Sequence, residues 1–231
     1  MRADNTIVIK LGGSFVGSRH LVGWVDVLAN FRGRAVVVPG GGPFADAVRM
    51  TQARIGFEDT VAHHLALLAM EQFGQVLVSL SPRFGVADSG EAIRRILRAG
   101  KVPVWSPVRE VLRASEILPS WDITSDSLAA WLAGHIGAGR LVLVKHGEPL
   151  DGPVRAVDLV TRGVVDRAFP RFLAASGVQA SIVGAKDYAS VPRTIGSGRA
   201  PGVPIDLHER AAKRLLASSW PRSKSRAGDG R

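Results

Sequence analysis

At 231 residues, 46% of them hydrophobic, the chain can bury a substantial core in one large domain or two small ones. It contains no cysteine, which excludes disulfides and thiolate metal sites and fits a reducing cytoplasm. The formal net charge of +10 invites a nucleic-acid partner, but no helix-turn-helix, zinc or RNA-reading motif accompanies it, so no specific nucleic-acid binding is expected.

In chain order, an apolar run over 6–10 predicts a first strand, closing on Lys10-Leu11-Gly12-Gly13-Ser14. A helix over 20–31 places Leu21, Trp24, Val25 and Leu28 on one face. The run over 35–38 predicts a second strand, closing on Pro39-Gly40-Gly41-Gly42-Pro43. A helix then starts early, over 44–55, because proline is favoured at a helix start. A helix over 58–73 carries Val61, Leu65, Leu68 and Ala69, and Val76 to Ser79 read as a strand. Further helices are predicted over 89–98, 124–136 and 166–175, and further strands over 102–105, 141–145 and 180–183. Residues 152–163 read as a surface excursion and 189–204, rich in Pro and Gly, as a loop.

Alternating strands and helices predict an α/β fold: a mainly parallel sheet with helices on both faces. The runs Ile7–Ile9, Val36–Val38 and Leu141–Val144 are continuously apolar, as strands buried on both sides require. One domain is expected over 1–217. Nine Lys/Arg face three Asp/Glu between residues 190 and 231, and the polar, Gly/Ser-rich stretch 218–231 reads as a basic, disordered tail. No window has the length of a membrane span, and no apolar run follows a basic stretch at the N-terminus. A soluble cytoplasmic protein without a membrane partner is therefore expected.

Chemistry concentrates at the two glycine turns. Both fall at the carboxyl ends of strands, where open α/β sheets bind ligands. Glycine lets backbone approach a ligand, and a following helix points free N–H groups and its positive dipole end into the gap. Such a turn is also how any α/β chain changes direction. The recurrence, with Lys10 beside the first, favours a phosphate site. Neither turn is a Walker loop or a Gly-x-Gly-x-x-Gly fingerprint. In Thr124-Ser125-Asp126-Ser127, Thr124 or Ser125 can cap the helix, with Asp126 in its first turn. Asp126 is either ordinary capping chemistry or a carboxylate that orients a lysine against a transferring phosphoryl group.

These three motifs, in this order and spacing, resemble the amino acid kinase family, whose members include acetylglutamate, carbamate, uridylate, aspartate and isopentenyl phosphate kinases. Within it, three stretches resemble the branch that phosphorylates aminomethylfuranmethyl phosphate to a diphosphate in methanofuran-type cofactor biosynthesis. They run from Ala62 to Gln72, from Trp121 to Ala133 and from Gly163 to Pro170. The resemblance implies a three-layer αβα sandwich, ATP and Mg2+ as cofactors, a phosphorylated small-molecule substrate and a homo-oligomer. Magnesium would be held mostly by phosphates and water. It implies that Lys10 bridges donor phosphates and the transferring group, and that Gly12, Gly13 and Ser14 donate to the β- and γ-phosphates. Gly40, Gly41 and Gly42 would hold the acceptor, with Thr124 and Ser125 beside it. Asp126 would orient the lysine and Lys145 would lie on the nucleotide side. One of His63 and His64 would meet an acceptor phosphate, and the match favours His63. Arg167 either replaces a second essential lysine of related kinases or is merely exposed, with Asp166 capping a helix. After Lys145 the chain reads His146-Gly147-Glu148-Pro149, a departure from the Asp-rich turn of many relatives. Another acceptor (isopentenyl phosphate, UMP or acetylglutamate), or a non-catalytic nucleotide-binding module, is the alternative.

Overall fold

The computed structural model describes residues 4–31, 34–147, 152–191, 194 and 200–207. The expected domain end at 217 and the tail over 218–231 lie outside the described residues, as do Glu148 and Pro149. The strands are β1 (Asp4–Leu11), β2 (Arg34–Pro39), β3 (Phe84–Ala87), β4 (Val102–Trp105), β5 (Ala138–Val144), β6 (Val154–Arg155), β7 (Gln179–Val183) and β8 (Val203–Asp206). The helices are α1 (Leu21–Ala29), α2 (Gly42–Ile55), α3 (Asp59–Ser79), α4 (Gly90–Arg98), α5 (Val108–Val111), α6 (Ser125–His135), α7 (Ala156–Thr161) and α8 (Phe169–Ser176). They form one eight-stranded sheet in the order β3-β4-β2-β1-β5-β7-β8-β6. All pairings are parallel except β7 with β8.

The middle strands alternate between two cores, as the two-residue period of a strand requires. Val8, Val36, Val38, Leu141 and Leu143 face a core shared with α6 and α8. Ile7, Ile9, Val37, Val142 and Val144 face the other, against Trp24 and Leu28 of α1 and Phe73 and Leu77 of α3. The result is three layers, helix on sheet on helix. The same alternation turns Lys10 to the face of Val8, toward α6. Because β1 lies between β2 and β5, the turns after β1 and β2 and the start of the β5 exit are neighbours at one edge.

Three readings of the sequence need correction. Val76 to Ser79 are the last turn of α3: Phe73 and Leu77 are both buried at helical spacing, and a short apolar run does not distinguish strand from buried helix. The strand is instead β3, four residues interrupted by Gly85, where no Cβ fits without pressing on Ile96. Residues 152–163 are more than an excursion, since they hold β6 and α7 with Ala156 and Leu159 buried. The Pro/Gly-rich stretch ends in β8, an antiparallel partner of β7 that accommodates Pro204 away from the sheet centre. Among the described residues no helix is long and apolar enough to cross a membrane.

Candidate functional site

The carboxyl ends of β1 and β5 deliver two lysines to one carboxylate. Lys10 Nζ lies 2.8 Å from Asp126 Oδ1 and Lys145 Nζ lies 2.7 Å from Asp126 Oδ2. The three side chains are 5%, 18% and 6% exposed for Lys10, Lys145 and Asp126. Burial lowers Lys10 to about 8, against the pull of Asp126. Burial pushes Asp126 up, but the charges of Lys10 and Lys145 outweigh it and hold the carboxyl at about 2. At neutral pH the cluster is therefore a carboxylate between two ammonium groups. Its charge is net positive in a place poor in water, which suits it to receive an anion.

Asp126 is placed by the start of α6, and that start is held from a distant part of the chain. Thr124 occupies the N-cap position, but its side chain accepts nothing from the helix. Asp166, in the loop before α8, does the capping instead. Its Oδ2 accepts from Thr124 N at 3.0 Å, Thr124 Oγ1 at 2.8 Å and Ser127 N at 3.0 Å, while Oδ1 accepts from Ser127 Oγ. Self-capping by Thr124 or Ser125 is thus corrected to capping by Asp166, whose carboxylate satisfies orphan amides better than a hydroxyl would. Burial, and then the charge of Asp126, push the Asp166 carboxyl up, and its hydrogen bonds to Ser127 and Thr124 pull it back. Arg167, next in sequence, is 81% exposed and 3.8 Å from Asp122. It is not part of the buried cluster.

The two glycine turns touch each other. A Cβ on Gly13 would lie 2.0 Å from Gly42 N, and one on Gly40 would lie 2.3 Å from Gly13 N. Gly42 has φ +53° and its Cβ would meet Gly13 O at 2.5 Å. Part of the glycine requirement is therefore turn against turn. Two of the amides expected at a ligand are engaged elsewhere: Gly12 N donates to Val144 O at 3.2 Å and Gly40 N to Leu11 O at 2.8 Å. The amides at the start of the Gly13–Phe15 turn and of α2 have no acceptor within their own helices, which leaves those of Gly13, Ser14, Gly41 and Gly42 available to an anion.

Two cavities flank the cluster and share Ser14. One, of about 340 Å³, is bounded by Gly13, Gly41, Gly42, His63, Thr124 and Ser125, with an apolar wall of Leu67, Met70, Ile123 and Leu128. The other, of about 420 Å³, is bounded by Lys145, His146, Arg162, Gly184 and Asp187. Both fall within the range of small-ligand sites. On α3, His63 is buried while His64 is exposed, which answers the question of which histidine faces inward. His63 Nε2 is buried without a hydrogen-bond partner. Burial, and then the nearby His64, lower its pKa. The mouth of the first cavity also holds residues that sequence reasoning did not single out. Arg49 stacks on the Trp121 ring at 4.4 Å, and Trp121 Nε1 donates to Gln52 Oε1 at 2.6 Å. The available signal was the α2 spacing of Gly42, Ala45, Asp46 and Arg49, one helix face following a glycine turn. In the second cavity His146, where the sequence departs from its relatives, accepts or donates to Ser18 Oγ at 3.0 Å and packs edge-on to Phe15.

A polyphosphate beside Lys10 returns its pKa toward the ordinary 10.5 and so binds with proton uptake between the two values. We expect Lys10 to take up about half a proton at pH 8 and almost none at pH 6, where protons released by the ATP phosphates dominate. Calorimetry of ATP binding in buffers of different ionisation enthalpy measures it. No uptake at pH 8 would separate Lys10 from the bound phosphates.

The model of the amino acid kinase family matches residues 5–149. The chain is 24% identical over 189 residues to [5-(aminomethyl)furan-3-yl]methyl phosphate kinase of Methanocaldococcus jannaschii, covering 76% of this chain and 86% of that one. Its fold is similar to uridylate kinase from Archaeoglobus fulgidus, with TM-score 0.66, 19% identity, and 87% of this chain and 99% of that chain covered. It is also similar to UMP kinase from Bacillus anthracis, with TM-score 0.65, 14% identity, and coverages of 89% and 97%.

Proposed function

We infer the activity from one premise: the chain belongs to the amino acid kinase family, and is a phosphotransferase that uses ATP. We propose that its acceptor is the phosphate of [5-(aminomethyl)furan-3-yl]methyl phosphate, named in a relative at 24% identity. An acceptor phosphate oxygen attacks the γ-phosphorus of ATP, the bond to the ADP oxygen breaks, and a diphosphate and ADP result. The observation that carries this reading is the Lys10–Asp126–Lys145 cluster, with Lys145 on the wall of one cavity and Ser125, next to Asp126, on the wall of another.

Transfer of this kind works by positioning and charge neutralisation. Lys10, held in place by Asp126, neutralises charge on the transferring group. Lys145 lies on the wall of the second cavity and meets the donor phosphates there. The amides of Gly13 and Ser14 on one side, and of Gly41 and Gly42 on the other, bracket the transfer. Among the described residues no three His, Cys, Asp or Glu side chains group as a metal cage. Asp126 is already shared by two lysines. The donor set therefore fits an Mg2+ held chiefly by phosphates and water, which supplies further charge neutralisation when bound. Arg167, exposed beside Asp122, has no role in this scheme.

His63 offers the acceptor phosphate a partner. Its unpaired Nε2 is costly to bury unless something occupies the cavity, and a phosphate restores the proton that burial disfavours. We expect His63→Ala to raise the acceptor KM about 10- to 100-fold while the ATP KM stays within about twofold, the worth of one charge-assisted hydrogen bond. Initial rates at varied acceptor and fixed ATP measure it, and an unchanged acceptor KM would remove His63 from the site. The activity itself is tested by ADP release with Mg-ATP against the furan phosphate, UMP, isopentenyl phosphate and acetylglutamate. Turnover of the furan phosphate alone is the expected result. Turnover of a different acceptor discards the furan and keeps the kinase.

A further inference from the structure

The wall of the acceptor cavity contains a carboxylate that phosphate binding does not explain. Asp46 lines the cavity together with Gly42, Ala45 and Arg49, all on one face of α2. An anionic acceptor is repelled by a carboxylate in its own site, so Asp46 weakens binding of a bare phosphate. Helix-end electrostatics do not account for it. Asp46 is the fifth residue of α2, beyond the first turn where the macrodipole favours a negative charge. Local pairing does not account for it either. Arg49, one turn on, has its guanidinium over the Trp121 ring at 4.4 Å. None of the ion pairs among the described residues includes Asp46.

The cavity therefore presents two kinds of polar group. The buried, unpaired His63 Nε2 and the free amides of Gly41 and Gly42 suit a phosphate. The Asp46 carboxylate suits a cation. The wall of Leu67, Met70, Ile123 and Leu128 suits a small apolar body that joins the two.

We propose that Asp46 selects the acceptor by its ammonium group: the substrate class is a small phosphomonoester that also carries a cationic amine. The phosphate meets His63 and the amine meets Asp46. This rests on the reading of the 340 Å³ cavity as the acceptor site, and deepens it by assigning a residue to the aminomethyl end. Because Asp46 is solvent-exposed, the pair is screened, and its selectivity falls as ionic strength rises.

The test compares two matched acceptors: the aminomethyl furan phosphate, and its counterpart with a hydroxymethyl group in place of the aminomethyl. The wild-type protein is expected to prefer the amine by about fivefold in kcat/KM at low salt, the upper end for one solvent-exposed charge pair. In Asp46→Asn the preference falls to about 1.5-fold or less, through the acceptor KM, with the ATP KM unchanged. Asp46→Glu, which keeps the charge, retains most of it. A merely structural role for Asp46 would move both acceptors alike and leave their ratio intact. Retention of the preference in Asp46→Asn, or equal use of the two acceptors by the wild type, overturns this inference and leaves the furan phosphate activity standing. Preference for UMP, which has no ammonium, over both furans overturns the proposed acceptor and this inference together.

Discussion

Lys10→Met is expected to lower kcat by about 10³-fold or more and to leave the fold intact. The magnitude follows from removing a preorganised positive charge aimed at the transferring group in a site that excludes water. The fold survives because Lys10 is a costly charge to bury. Its pKa stands at about 8 rather than 10.5, so keeping it protonated at pH 7 opposes folding, and loss of that charge relieves the cost. Methionine fills nearly the same volume between the neighbouring strands. Asp126 keeps Lys145 on Oδ2 at 2.7 Å, while its buried Oδ1 loses the Lys10 ion pair, a cost that offsets part of that relief. Single-turnover kinetics with saturating ATP, together with a thermal melt, separate the two effects. A variant with kcat within tenfold of wild type would take Lys10 out of the transfer step.

Gly13→Ala disrupts the site through its backbone. The added methyl would stand 2.0 Å from Gly42 N, 2.4 Å from Gly42 Cα and 3.1 Å from Gly41 C. Every one of those atoms is main chain, so no rotamer change relieves the overlap. The two turns must separate, and with them the amides at their ends. Overpacking of this severity costs about 3 kcal/mol, which lowers Tm by about 10 °C for a domain of this size. Activity falls by about 100-fold or more, because a displacement of about 1 Å is enough to lose that much. Gly90→Ala is the matched control. Its methyl would meet only the tip of Arg94 at 3.6 Å and Glu110 Oε1 at 4.0 Å, so its Tm stays near or above wild type. A wild-type Tm in Gly13→Ala would show that the turns do not depend on their mutual contact.

These effects follow the division between local and long-range information in the chain. The strands β1, β2 and β5 were legible because burial on both faces demands unbroken apolar runs, and Ile7–Ile9, Val36–Val38 and Leu141–Val144 supply them. The α2 start was legible from Pro43. The short β4 was legible because all four of its residues are apolar and buried, whereas β3, β6 and β8 were not, because a glycine or an exposed charge, at Gly85, Arg155 and Asp206, breaks their pattern. Val76 to Ser79 misled for the reverse reason: β-branched residues that favour a strand in isolation continued a helix already packed through Phe73 and Leu77.

The residues of the candidate site divide the same way. Lys10, Gly13, Ser14 and the second glycine turn are adjacent in sequence to the strands that place them, so composition and spacing were enough to single them out. Asp126 was visible only as either a cap residue or a lysine partner. Its contact with Lys145, 19 positions away, exists because α6 packs over the end of β5, and its geometry depends on Asp166, which reaches Thr124 from 42 positions away. The pairing of His63 with Asp46 and Arg49 around one cavity likewise requires α2 and α3 to lie against each other. Local periodicity and glycine spacing act over a few residues, and they predict an α/β chain with two glycine turns at the carboxyl ends of neighbouring strands. Which charges meet is decided by sheet order and helix packing, because Coulomb and hydrogen-bond energies depend on distances in space that no spacing along the chain encodes.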